Sequence, residues 1–126
     1  MTDIAPPLVL IVDDEPLIQD LVAEALTEGG FGVHHARDGQ EAIELLNGAQ
    51  TFRALVTDIN LGRGPTGWDV ARCARELQPD LPVIYVSGGN PQDWAALGVP
   101  VSTMITKPFA PAQIVTAVAA LLNNGS

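Results

Sequence analysis

The run Leu8-Val9-Leu10-Ile11-Val12 is apolar at every position. A strand with one wet face alternates apolar and polar residues; a run without alternation must be covered on both faces, as in a parallel sheet between two helical layers. The same logic applies to Ala54-Leu55-Val56-Thr57, which passes directly into Asp58, and to Pro82-Val83-Ile84-Tyr85-Val86, which passes into Ser87. Two weaker runs, Phe31 to His35 and Val101 to Ile105, complete a set of five expected strands.

Between them lie segments of helical character. Pro16 suits a first turn, Leu17/Ile18, Leu21/Val22 and Ala25/Leu26 recur at helical spacing, and Gly29-Gly30 closes the helix. Asp38 and Glu41 form a capping box ahead of Ala42, Ile43, Leu45 and Leu46, and Gly48 ends that segment. Further helices are expected over Trp68–Leu77, which stops before Pro79, over Gln92–Leu97 and over Ala110–Leu122. Strands alternating with helices predict an α/β fold, a flavodoxin-like (βα)5 three-layer sandwich around a five-stranded parallel sheet with right-handed crossovers. At 126 residues this is one domain, residues 1–126, with its core in 8–122.

Composition narrows the function. The formal charge of −9 leaves no basic footprint for nucleic acid, and an acidic surface favours basic partners or cations. Cys73 is the single cysteine, which excludes an internal disulfide and fits a reducing compartment; its helical spacing with Val70, Ala74 and Leu77 marks it as a packing residue. No run reaches the length needed to span a bilayer, and residues 1–7 lack signal-peptide features, so the expected location is cytoplasmic.

Ligands of open parallel sheets sit beyond the carboxyl ends of the strands. Four of the five strand ends deliver polar groups there: Asp13 and Asp14, Asp58, Ser87, and Lys107. Clustered carboxylates repel, and a hard divalent ion such as Mg2+ relieves that repulsion through oxygen ligands. Lys107 supplies a point charge for phosphate oxygens, Ser87 a hydroxyl, and Gly88-Gly89 room for close approach. Carboxylate, cation, ammonium and hydroxyl are the components of phosphoryl transfer.

The segments Leu10-Ile11-Val12-Asp13-Asp14-Glu15-Pro16, Ala36-Arg37-Asp38-Gly39-Gln40-Glu41-Ala42, Asp58 after its strand, Ser87 after the fourth, and Lys107-Pro108-Phe109 resemble the receiver domain of bacterial two-component response regulators, over residues 8–122. The resemblance implies that Asp58 accepts a phosphoryl group from a histidine kinase or histidine phosphotransfer protein. Mg2+, with Mn2+ or Ca2+ as substitutes, would be held by Asp14, Asp58 and the Asn60 backbone carbonyl, with Asp13 acting mostly through water. Lys107 would contact the phosphoryl group, preceding a cis bond to Pro108, and Ser87 would swing toward it. The output would be a protein–protein face built of the fourth helix, fifth strand and fifth helix, engaging a downstream protein or a second copy of the chain. Such a receiver catalyses its own phosphoryl transfer and has no separate substrate. Three departures stand out: Met104 where an aromatic switch residue is usual, a longer loop from Asp58 to Gly67, and Asn60 and Gly89 at positions that tune phosphoryl lifetime.

Rival readings are a degenerate receiver that binds partners without phosphorylation, and a Mg2+-dependent aspartyl phosphatase of the haloacid dehalogenase type. The phosphatase would need its second Asp two residues after the first, where this chain has Glu15. His34 and His35, adjacent on a strand, point to opposite faces, so one is expected exposed and one packed. Trp68 and Trp94 read as rim packing. The last helix carries no charge from Ala110 to Leu122; Ile114, Val115, Val118, Leu121 and Leu122 can face the core, which leaves Ala112, Thr116, Ala119 and Ala120 for an interface.

Overall fold

A computed structural model describes residues 6–89 and 92–124. Five strands, β1 (Leu8–Val12), β2 (Gly32–Ala36), β3 (Ala54–Asp58), β4 (Val83–Ser87) and β5 (Ser102–Thr106), alternate with five helices, α1 (Pro16–Glu28), α2 (Gly39–Leu46), α3 (Gly67–Leu77), α4 (Gln92–Leu97) and α5 (Pro111–Asn124). All neighbouring strands are parallel, in the order β2-β1-β3-β4-β5. The strand order therefore reverses between β1 and β3, and the crevice of such a sheet opens at their carboxyl ends.

The unbroken apolar runs are buried on both sides, as their lack of alternation demands. Leu10, Val12, Leu55, Val83 and Tyr85 face a layer with Ala42, Val70, Ala71 and Ala74 of α2 and α3. Val9, Ile11, Val56, Ile84 and Val86 face Val22 and Leu26 of α1 and Ile114 and Val118 of α5. Each valine, leucine or isoleucine among them taken fully from water contributes about 1.5–3 kcal/mol, set against the entropy of ordering the chain.

Local signals place the helix ends. Asp38 caps α2 by accepting the Glu41 N–H (2.8 Å), while the Glu41 carboxylate accepts the Arg37 N–H (2.8 Å). Thr66 and Asp69 form a complete capping box that starts α3 one residue earlier than expected, at Gly67. Only glycine fits there: a Cβ on Gly67 would lie 2.1 Å from the Asp58 carbonyl oxygen, so the loop from Asp58 folds back tightly against the end of β3.

Two differences from the sequence reading have physical causes. β5 begins at Ser102 rather than Val101, because Val101 is left-handed (φ 55°) and cannot continue a strand. That turn is held from α3 by the Arg75 guanidinium, which donates to the carbonyls of Leu81, Pro100 and Val101. β2 is shifted one residue on, to Gly32–Ala36, since Ala36 pairs with Val12 and closes the ladder. His34 and His35 do lie on opposite faces, but both are half-buried: His34 meets Phe52 edge-on and His35 contacts Gln19.

Candidate functional site

The β1–α1 turn, the end of β3 and the start of the β5–α5 connection converge on one cleft, lined by Asp14, Glu15, Asp58, Asn60, Gly88, Gly89 and Lys107. Asp58 is the last residue of β3 and is buried. Its Oδ2 accepts the Lys107 ammonium at 2.9 Å, and its Oδ1 accepts the Asn60 N–H at 3.3 Å. The same ammonium reaches Glu15 Oε1 at 3.2 Å. Lys107 arrives there because its own N–H continues the β4–β5 ladder onto the Ser87 carbonyl (2.8 Å), and the Lys107–Pro108 bond is cis.

Asp13 continues β1 by donating its N–H to Ala36 O (3.2 Å), and its buried carboxylate accepts the Glu15 N–H at 2.8 Å. Burial pushes its carboxyl up to about 6; the Asp58 and Glu15 charges push the same way, against the Glu15 N–H bond and Lys107. For Lys107, burial works to lower the ammonium pKa, but the bond to Asp58 and the surrounding carboxylates outweigh it and the net shift is upward. The lysine is therefore a permanent cation at neutral pH.

Four carboxylates, from Asp13, Asp14, Glu15 and Asp58, each bring an oxygen within 4.8 Å of the others. One ammonium does not neutralise four acids, and the Asp58 and Glu15 charges add to the burial that raises Asp13. The donor set is hard oxygen throughout, which fits Mg2+ and equally Mn2+ or Ca2+. Ser87, at the end of the adjoining strand β4, is buried, with its hydroxyl accepting the Gly89 N–H at 2.9 Å.

Asp13, Asp14, Asp58, Asn60 and Lys107 are thus brought together as the sequence suggested, with Ser87 on the adjoining strand end. Two residues were missed. Glu15 is a second partner of Lys107; its place directly after two acids was the available signal. Gln19 is a polar residue on the inward face of α1, in phase with Val22 and Leu26, a phase that the paired apolar positions of the sequence left open. Trp68 packs under the rim against Tyr85, ring centroids 4.7 Å apart, whereas Trp94 is partly exposed and donates its indole N–H to Ser102 (2.8 Å). Cys73 is half-buried near Asn47, and burial raises its thiol pKa, as suits packing rather than reactivity.

The fold and the cleft together define a doubly wound parallel domain with an acidic, lysine-capped site at its switch point. The family profile described as "Response regulator receiver domain" matches residues 9–119, and the chain belongs to that family. Among solved structures, a response regulator receiver protein from Sinorhizobium medicae superposes with a TM-score of 0.93 at 40% identity, covering 96% of this chain and 98% of that one. Among curated relatives, the probable transcriptional regulatory protein TcrX of Mycobacterium tuberculosis is 32% identical over 119 residues, 93% of this chain and 50% of that protein. Response regulator MprA of Mycolicibacterium vanbaalenii is 29% identical over 93% of this chain and 51% of its own length. The chain spans about half the length of these curated relatives. Among the described residues, no helix is long and apolar enough to cross a membrane.

Proposed function

We propose that this domain takes a phosphoryl group from a phosphohistidine, on a histidine kinase or a histidine phosphotransfer protein, onto Asp58 in a Mg2+-dependent reaction that the domain itself catalyses. The observation that carries this reading is the Lys107–Asp58 contact at 2.9 Å inside a cleft that also gathers Asp13, Asp14 and Glu15. A carboxylate oxygen of Asp58 attacks phosphorus, the P–N bond breaks with its electron pair going to the departing imidazole, and Asp58 becomes an acyl phosphate.

Asp13, Asp14, Asp58 and the Asn60 carbonyl would hold the ion, which when bound neutralises phosphoryl oxygens and leaves the rest to positioning. Lys107, paired with Asp58 at rest, meets the oxygens of the phosphoryl group once it arrives. Ser87 can exchange its Gly89 N–H for a phosphoryl oxygen, since a hydroxyl both donates and accepts. That exchange would report occupancy to the neighbouring output face of α4, β5 and α5, with a downstream protein or a second copy as partner.

Incubation with acetyl phosphate and Mg2+, read by intact mass, tests the proposal. The expected result is one added phosphoryl group on the parent and none on Asp58→Asn. Partner binding that is unchanged by Asp58→Asn, with no adduct on the parent, would favour a phosphorylation-independent binding module. Turnover of small phosphate esters that survives Asp58→Asn would favour a phosphatase.

A further inference from the structure

Gln19 lies on the face that α1 turns inward and is buried there with Val22 and Leu26. A buried amide is tolerated when its donors and acceptor are paired. Here Nε2 donates to the carbonyl of Asp13 and to the carbonyl of Ala36 (2.9 Å), while Oε1 accepts from His35 Nδ1 at 3.3 Å. Both carbonyls mark the point where the β1–β2 ladder runs out. The last rung is the Asp13 N–H on Ala36 O, and beyond it the chain turns into the segment carrying Asp13, Asp14 and Glu15.

Asp13 is consequently tied at both ends. Its carbonyl is held by Gln19 from one turn inside α1, and its carboxylate is held by the Glu15 N–H within the turn itself. The orientation of the Gln19 amide is fixed by the two carbonyls, which need a donor; that leaves Oε1 facing His35 Nδ1, which must then carry the proton.

We infer that Gln19 is a positioning residue for the divalent cation, pinning the β1–α1 turn so that its carboxylates face Asp58, with His35 supporting the amide through the contact at its oxygen. The inference rests on the reading of the acidic cleft as a Mg2+ site. Groups that orient metal ligands from behind alter metal affinity by about 10–100-fold when removed.

Calorimetric titration of the full chain with Mg2+ at neutral pH separates this role from a general loss of stability. Gln19→Met keeps the length and apolar packing but has neither donor, and it is expected to weaken Mg2+ binding about tenfold or more. His35→Leu, at a half-buried site, is expected to weaken binding by a smaller factor. Val118→Ala opens a cavity under α5 away from the cleft and is expected to leave affinity within about twofold of the parent. Parent-like affinity in both Gln19→Met and His35→Leu overturns the inference, as does an equal loss in Val118→Ala. A parent chain that takes up no Mg2+ overturns the cation site and this inference together; Mg2+ binding in the parent with unaltered variants overturns the inference alone.

Discussion

Asp58 and Lys107 form a short ion pair in which the carboxylate is buried and the ammonium is only 24% exposed on its side chain. Water screens such a pair poorly, so the positive charge is held beside the Asp58 carboxylate, where the proposed reaction needs it. Replacing Lys107 by Met should lower the initial rate of adduct formation from acetyl phosphate by roughly 100-fold; a rate within about threefold of the parent would remove the lysine from the chemistry. Asp13 carries a different cost. Its carboxyl titrates near 6 in the folded chain against 3.8 unfolded, so between those values the folded state keeps a proton that the unfolded state has released. Stability therefore falls as pH rises through that window, by up to about 3 kcal/mol. In urea denaturation without divalent ions, Asp13→Asn should be more stable than the parent by about 1–3 kcal/mol at pH 7, with the difference vanishing below about pH 4. A variant equally stable or less stable at pH 7 would mean that the aspartate is not strained by its surroundings.

At the scale of elements, strand runs and the start of α2 were readable because their causes are local: lack of alternation in β1, β3 and β4, and Asp38 ahead of α2; the Thr66–Asp69 capping box is equally local but was not read, and α3 starts one residue before the expected Trp68. Long-range causes were not readable. The left-handed turn at Val101 depends on Arg75 reaching across from α3, and nothing in Pro100-Val101-Ser102 announces it. Val101 is exposed and β-branched, so Val101→Asn, which accepts that backbone region more readily, should raise unfolding stability by about 1 kcal/mol in urea. A loss of similar size would show that the valine side chain, rather than the backbone, sets the local energy. Helix phase likewise needed the fold. The apolar pairs along α1 resolve into inward Ile18, Val22 and Leu26 and outward Leu17 and Leu21. On α5, Ala119 is half-buried while Ala112, Thr116 and Ala120 are exposed along an apolar groove with Thr103 and Ile105 of β5. The interface expected there is therefore best probed at Ala120: Ala120→Glu should reduce phosphorylation-dependent self-association or partner binding by about tenfold or more, read by light scattering and titration, with an unchanged thermal midpoint. Unaltered binding would move the output face elsewhere.

Across the whole molecule, the strand order decides what the individual motifs can do. Residues 13, 58 and 107 are far apart in sequence, yet β1, β3 and β5 run in one direction and deliver their carboxyl ends to one rim. The site was legible because Asp13, Asp58 and Ser87 end or follow buried runs, where a polar residue has few other reasons to stand, and Lys107 follows the half-buried β5. Glu15 and Gln19 were not legible as members, because their roles depend on facing Lys107 and the ends of two paired strands. The formal charge of −9 fits the same picture: the excess of acid is concentrated most closely at the cleft, where four carboxylates surround one ammonium. The most direct measurement is to phosphorylate the chain with acetyl phosphate and Mg2+, reduce the acyl phosphate with borohydride, and map the peptides by mass. Homoserine is expected at position 58 and at no other aspartate; label at Asp13, at Asp14 or at no carboxylate would overturn the assignment of Asp58 as acceptor.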